Sequence, residues 1–229
     1  MTLVSTERRG TTATLKTVFQ DLQADSCPYL YNFHLHTVFS DGQLHPDRLM
    51  QQAVAHGLEG LAITDHHTVA GYRAAHLWLE SLRSRSAQAE PLPQLWSGIE
   101  INANLTGVEV HILGYGFDCN HPVLYPYTQG TTALGKSYEA EQVIAAIQGA
   151  GGIAILAHPA RYRHPASDLV AAAVTLGIDG LETYYCYANQ DPWQPSATQT
   201  QDMLTLGQRY SLLKTCGTDT HGSSILRRL

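Results

Sequence analysis

From residue 29 onward, short apolar runs alternate with stretches of helical spacing, and the alternation continues almost to the last residue. Tyr29–Phe33, Leu61–Thr64, Leu95–Ile101, Val108–Leu113, Ile153–Leu156, Gly180–Thr183 and Leu212–Cys216 are brief and rich in apolar residues, the pattern of buried strands. Between them, His45–His56, Val69–Leu82, Ser137–Gln148, Asp168–Leu176 and Thr198–Tyr210 read as helices. In the first of these Leu49 and Val54 face inward and Gly57 lies just past the end. Seven strands, most followed by a helix, predict a parallel α/β sheet, either open and doubly wound or closed as a barrel. Periodicity does not choose between the two. NLTG, at 104–107, reads as a turn between two of the strands, and 84–94 as a polar, Pro-containing surface loop. Upstream, Thr12 is placed to cap a helix through ATLKTVFQDLQ, with Leu15, Val18, Phe19 and Leu22 on one apolar face. Residues 1–26 are therefore expected to form an arm that packs on the barrel or on a neighbouring subunit, and 27–229 one domain.

Composition narrows the class. With 229 residues, 44% hydrophobic and 15% charged, the chain can bury a sizeable core. The charged share lies below the usual ~25%. Fourteen basic against 20 acidic residues give a net charge of −6, with no long basic run to offset it. That disfavours a protein built to wrap duplex DNA or to lie on an anionic membrane. No apolar stretch approaches the ~20 residues that span a bilayer, and MTLVSTERRGTTATLK has no apolar h-region. The expected location is cytoplasmic. Cys27, Cys119, Cys186 and Cys216 are scattered without a C-x-x-C pair, so free thiols are expected.

Twelve histidines change the picture, because of where they fall. His34 and His36 follow the first strand, one residue apart, so an extended chain points both rings to one side. Asp41 comes next, in the loop SDG. Asp65, His66 and His67 follow the second strand, and Glu100 ends the third, in SGIE. His111 lies on the fourth, at a height the pattern does not fix. His158 follows Ile153–Leu156, and Asp219 and His221 follow the last strand.

In parallel α/β folds, ligands bind beyond the C-terminal ends of the strands. One strand-end histidine is usually a hydrogen-bonded structural residue. So many imidazoles and carboxylates converging from distant stretches would be costly to bury without a compensating cation. Nitrogen and oxygen donors without thiolate suit Zn, Mn or Fe. His45, His56, His76, His121 and His164 read instead as exposed or capping residues. His67 points away from His66 if the chain is extended, which makes it a candidate for contact with a ligand or with the substrate.

HLHTVFSDG (34–42), AITDHHTVAG (62–71), GIE (98–100), EVHILGYGF (109–117), AHP (157–159) and GTDTHG (217–222), taken together, resemble the polymerase and histidinol phosphatase (PHP) superfamily. The resemblance runs from about Tyr31 to Arg228. It implies a distorted (β/α)7 barrel with a short N-terminal extension, and a trinuclear metal centre. By motif, His34, His36, Glu100 and Asp219 would hold one divalent ion. Glu100 would bridge to a second, held with His111 and His158, while Asp41, His66 and His221 would bind the third. Two departures stand out. His67 occupies a position that is often acidic in related sequences. Only 46 residues separate His111 from His158, which leaves little room for the helical insertion of some nucleotide-hydrolysing relatives.

Three divalent ions against three ligating carboxylates would leave the site strongly cationic, and a phosphate ester is its natural guest. The expected reaction is hydrolysis of a small phosphomonoester, a nucleotide or histidinol phosphate, by a metal-activated hydroxide. Glu100 would share two ions, and Asp219 or His221 would protonate the leaving group. Asp65 would orient a ligand or a metal-bound water, or else cap the following helix. Arg161, in HPARY, is the leading phosphate clamp, ahead of Arg163, Lys136 and Arg73. Two alternatives are an exonuclease on single-stranded DNA or RNA ends, using the tyrosines of YPY (125–127) and ETYYCY (182–187), and a non-catalytic, metal-stabilised interaction module. The net charge disfavours a nucleic-acid partner relative to a small phosphorylated substrate. No membrane partner is expected, and the oligomeric state is left open.

Overall fold

The computed structural model describes residues 11–85 and 91–229. The first ten residues of the expected arm, and 86–90 of the expected surface loop, lie outside the described residues. The order of elements is α1 (Thr12–Asp21), β1 (Tyr31–Asn32), α2 (Pro46–Ala55), β2 (Gly60–Ala62), α3 (Ala70–Arg85), β3 (Gln94–Trp96), β4 (Gly98–Leu105) and β5 (Val108–Tyr115). Then follow α4 (Ala140–Gly149), β6 (Ile153–Leu156), α5 (Ala166–Thr175), β7 (Gly180–Tyr184), α6 (Ala197–Tyr210) and β8 (Leu213–Cys216). Three short 3-10 turns lie in the loops before and after α4.

The strands form a mixed α/β fold of two sheets, β1-β2-β3 and β4-β5-β6-β7-β8. Two expectations need correcting. The run Leu95–Ile101 is not one strand, because the chain leaves the first sheet at Ser97 and enters the second. Ser97 Oγ donates to the Phe117 carbonyl (2.8 Å) and its own carbonyl accepts from Gly116 N (2.9 Å). At Gly98 the backbone packs so closely on Ile63 that a Cβ would overlap its carbonyl. The sheet is also not wholly parallel, since β5 runs antiparallel to both β4 and β6. The cause is the NLTG turn, which returns the chain with Thr106 and Gly107 at positive φ while Asn104 Oδ1 accepts from Gly107 N.

Hydrogen bonds cross both seams between the sheets. Phe33 N donates to Cys216 O (3.1 Å) and Asp219 N to His34 O (2.9 Å) on one side. On the other, Glu100 N donates to Asp65 O (3.2 Å) and His67 N to Glu100 O (2.9 Å). The strands nonetheless divide into two sheets by their ladder pairing.

Alternation along the strands sorts side chains between an outer and an inner layer. Ile99, Ile101, Val110, Ile112, Ala154, Leu156 and Leu181 pack outward with residues of α4 and α5. Phe33, Trp96, Leu113, Tyr115, Ile153, Ile155, Tyr184 and Cys216 form an inner cluster with contributions from both sheets. Helix α1 belongs to this inner cluster. Its cap is Thr11, one residue earlier than expected, with Thr11 Oγ1 accepting from Thr14 N. Leu15, Phe19 and Leu22 are buried, and Phe19 meets Phe33 and Tyr115 edge-on at centroid distances of 4.9 and 5.4 Å. Thr12 Oγ1 ties the helix to Gly116 O (3.0 Å). From Thr11 onward the expected arm is thus part of the core of the domain.

Cys27 and Cys216 are joined in a disulfide that links the segment after α1 to β8, which corrects the expectation of four free thiols. Cys119 and Cys186 are free. Among the described residues, no helix is long and apolar enough to cross a membrane.

Candidate metal centre

The alternation that buries apolar residues also aims the polar ones. Ile99 and Ile101 face outward, so Glu100 between them points inward. On β5 the same period turns His111 to the side of Leu113 and Tyr115. Glu100 is almost wholly buried and lies among five imidazoles. Its Oε2 is 3.0 Å from His34 Nε2, 3.1 Å from His36 Nε2 and 3.5 Å from His66 Nε2. Its Oε1 is 2.8 Å from His111 Nδ1 and 3.3 Å from His158 Nε2. Asp219 Oδ1 stands 3.2 Å from His36 Nε2 and 3.4 Å from His34 Nε2. Asp41, half exposed, lies 3.1 Å from His221 Nε2 and 3.8 Å from His66 Nε2. All nine residues expected as ligands are therefore gathered in one place.

Three donor groups can be drawn among the described residues: His34, His36, Glu100 and Asp219; His66, Glu100 and His111; and His36, Asp41, His66 and His221. The first matches the set implied by the resemblance. In the second, His66 stands where His158 was expected, and His158 approaches Glu100 Oε1 from beside it.

Divalent ions fit these residues by two observations. The donors are imidazole nitrogens and carboxylate oxygens without thiolate, as hard or borderline ions prefer. Several buried imidazole nitrogens also have no hydrogen-bond partner, among them His36 Nε2, which faces two carboxylates. Protons balance only part of the cluster: at His34, His36 and His111 the surrounding carboxylates outweigh burial and raise those rings, His36 to about 9. Burial on its own would raise the Glu100 carboxyl, but His34 and His111 outweigh it and hold the carboxyl well below the usual range. Burial pushes His66 down to about 4, so that ring is neutral near pH 7.

The backbone at the site is strained where ligands sit. His158 has φ 28° and Asp219 φ 54°, and His67, next to His66, has φ 54°. Non-glycine residues adopt such angles at a cost of ~1–3 kcal/mol each. Gly217 lies so close to His34 that a Cβ there would collide with the His34 side chain.

The remaining expected site residues are placed as follows. Asp65 is buried and accepts from Thr37 N (2.6 Å), Thr37 Oγ1 (2.7 Å) and Ser40 Oγ (2.8 Å). These hydrogen bonds fix the loop between His36 and Asp41. His67 is buried, its Nε2 within 3.1 Å of Asn102 Oδ1 and 3.2 Å of Thr132 Oγ1. Both contacts are to protein, and Gly130 N donates to its carbonyl, so His67 anchors the 130–132 loop beside the cluster. Arg161 Nη1 is 3.0 Å from Asp219 Oδ2, with the side chain partly open to solvent. Arg73 is used elsewhere, against Cys119 O and Asn120.

Three more residues stand beside the cluster: Glu182 and Arg228, which the sequence did not single out, and Tyr185, one of the tyrosines of ETYYCY. Tyr185 OH (2.7 Å) and Arg228 Nε (2.8 Å) also donate to Asp219 Oδ2, which gives that oxygen three donors. Glu182, fully buried on β7, contacts His34 and the His158 backbone. An acid flanked by apolar residues in a strand, GLETY, was the available signal for Glu182.

A mixed α/β scaffold with imidazoles and carboxylates massed at one end is the form of a metal-dependent hydrolase. Residues 32–159, more than half of the chain, match the model of the PHP domain, and the chain belongs to that family. A 5'-3' exoribonuclease of Haemophilus influenzae is 34% identical over 144 residues, covering 58% of this chain and 49% of that protein. A 3',5'-nucleoside bisphosphate phosphatase of Chromobacterium violaceum is 30% identical over 122 residues, 52% of this chain and 39% of that one. The chain thus spans half or less of the length of these two curated relatives. A crystal structure described as a metal-dependent phosphoesterase of Bifidobacterium adolescentis superposes with a TM-score of 0.65 at 25% identity. That alignment covers 86% of this chain and 89% of the other.

Proposed function

We propose that the chain is a metal-dependent phosphoesterase that removes phosphate from a small phosphomonoester of the nucleotide type. The observation that carries the reading is one buried carboxylate, Glu100, approached by five imidazoles from separate stretches of chain. Burial pushes two of the five rings, His66 and His158, toward the neutral form, and cations bound among them satisfy both the acid and those neutral imidazoles. His34, His36, Asp41, His66, Glu100, His111, His158, Asp219 and His221 are the proposed ligands. The three donor groups support a trinuclear centre, of Mn, Zn or Fe. Bound there, divalent ions polarise phosphoryl oxygens and lower the pKa of a water.

The side chains of this chain have complementary roles. Glu100 holds the two inner groups together. Arg161, partly exposed beside Asp219, is placed to receive a phosphoryl oxygen. His34 and His36 help hold Asp219 ionised against the effect of its burial, as its place among the ligands requires. His221 lies at the more open side of the cluster, beside Asp41. Phe39, exposed in the loop between His36 and Asp41, offers a face on which a base can stack. The resemblance to a bisphosphate phosphatase supports a nucleotide substrate. The seven-stranded barrel reading is retained as a proposal, with β3 and β4 counted as one bent strand and the seam hydrogen bonds closing the ring.

The second reading, an exonuclease on short RNA ends, is favoured by the resemblance to an exoribonuclease. One experiment separates the two. Protein supplied with Mn or Zn is assayed on a nucleoside monophosphate and on a 5'-labelled oligoribonucleotide, with and without chelator. Chelator-sensitive release of phosphate from the monoester alone is expected. Shortening of the oligonucleotide without monoester turnover establishes the second reading, and no turnover of either substrate removes both.

A further inference from the structure

Glu182 has no part in the chemistry just described, yet it is among the most completely buried acids in the molecule. It sits on β7 between Leu181, which packs outward, and Thr183, so the strand period turns it inward beneath the cluster. Both of its oxygens are committed. Oε1 is 2.8 Å from His34 Nδ1, and Oε2 accepts the backbone N–H of His158 at 2.8 Å. These partners follow strands of different sheets, His34 after β1 and His158 after β6.

We infer that Glu182 is a positioning residue that couples two of the proposed ion sites, holding the His34 ring with Nε2 toward Glu100 and fixing the backbone of His158. The inference rests on the reading of His34 and His158 as ligands.

The physical argument has two parts. An imidazole that donates Nδ1–H to a carboxylate keeps its lone pair on Nε2, the atom that faces Glu100 Oε2 at 3.0 Å and Asp219 Oδ1 at 3.4 Å. The contact thus selects the tautomer that a ligand needs, and it makes that nitrogen more basic. At His158 the carboxylate acts on the main chain. A residue at φ 28° and ψ 60° is poorly populated by itself, and a charge-assisted bond to its N–H helps hold it there. In that conformation the ring presents Nε2 to Glu100 Oε1 at 3.3 Å. Among the described residues, Asp41, His66 and His221 share no hydrogen bond or ion pair with Glu182, whose partners are His34 and His158, so Glu182 acts on one side of the centre.

Glu182→Gln tests this. The amide has nearly the same shape but a single accepting oxygen, so either His34 Nδ1–H or His158 N–H loses its acceptor, and the charge that selects the His34 tautomer is gone. Chelator-stripped wild type and variant are titrated with Mn(II) by calorimetry. The histidine ring nitrogens are observed by 15N NMR in the ion-free proteins at a pH high enough to leave His34 neutral, because the carboxylates around it outweigh burial and raise that ring. The expected result is a ~10–100-fold loss of affinity at two sites with the remaining site unchanged. The His34 ring is expected to lose its single Nδ1–H form. Wild-type affinity at every site together with an unchanged His34 tautomer overturns the inference, as does equal weakening of all sites. Should Glu182→Gln not fold, Glu182→Asp takes its place. It keeps the charge but is too short to reach both partners, so weakening at the same two sites is expected and unchanged affinity overturns the proposal. The ring-nitrogen spectrum needs neither ions nor substrate. A chain that binds Mn(II) but hydrolyses no ester therefore defeats the phosphoesterase reading and leaves this one standing.

Discussion

Strand β5 passes through two opposite environments within eight residues, and the contrast explains the design of the molecule. Near its start, His111 points into a crowd of imidazoles and carboxylates. At its end, Tyr115 points the same way but into Phe19, Phe33 and the apolar face of α1. Both side chains occupy the inner layer, separated by two strand periods. The apolar end gains stability through burial, ~1.5–3 kcal/mol for each large side chain. The polar end loses stability through desolvated charge and through the strained backbone at His158 and Asp219. One end thus supports what the other holds in place, and substitutions at the two ends should separate stability from ion binding.

Glu100→Gln is expected to have the largest effect. It removes the carboxylate common to two donor groups, so ion affinity and turnover should fall by more than the ~10–100-fold typical of a residue that only supports a ligand. Equilibrium dialysis against Mn(II) and a phosphate-release assay measure both. The fold should survive, because the helix-plugged end is untouched, and retained affinity would remove Glu100 from the ligand set. At the opposite end, Phe19→Ala should cost ~3–5 kcal/mol by urea denaturation while the folded protein keeps wild-type ion affinity. A parallel loss of ion binding would mean that the two ends are not separable. The smallest effect is expected at Arg161→Ala, a rise in KM for the phosphate ester of about tenfold, the loss of one charged hydrogen bond. No change in KM would return Arg161 to the role of a structural partner of Asp219.

The comparison also shows what was legible in the sequence. The proposed ligands other than Asp41, which lies in the SDG loop, could be picked out because each lies at or beside a strand whose apolar run is short and clear, and because the residue types recur in pairs such as H-x-H and D-x-H. The apolar stripe of α1 was equally plain. What escaped depends on contacts between distant segments. The antiparallel course of β5 followed from NLTG, which was read as a turn but not as one tight enough to pair β4 with β5. The pairing of Cys27 with Cys216 spans 189 residues and depends on where α1 docks. Asp65 sits beside a ligand in sequence, yet its hydrogen bonds go to the loop of Thr37 and Ser40, which only the folded chain brings near. Glu182 and Arg228 are single charged residues without a companion at fixed spacing, so nothing local marked them.

Removal and return of metal tests the account most directly. Protein stripped with chelator, then titrated with Mn(II) while phosphate release from a nucleoside monophosphate is followed, should be inactive when stripped. Activity should return in step with ions bound at the Glu100 cluster, and Glu100→Gln should abolish both. Full turnover in stripped protein, or ion uptake unaffected by Glu100→Gln, would contradict it.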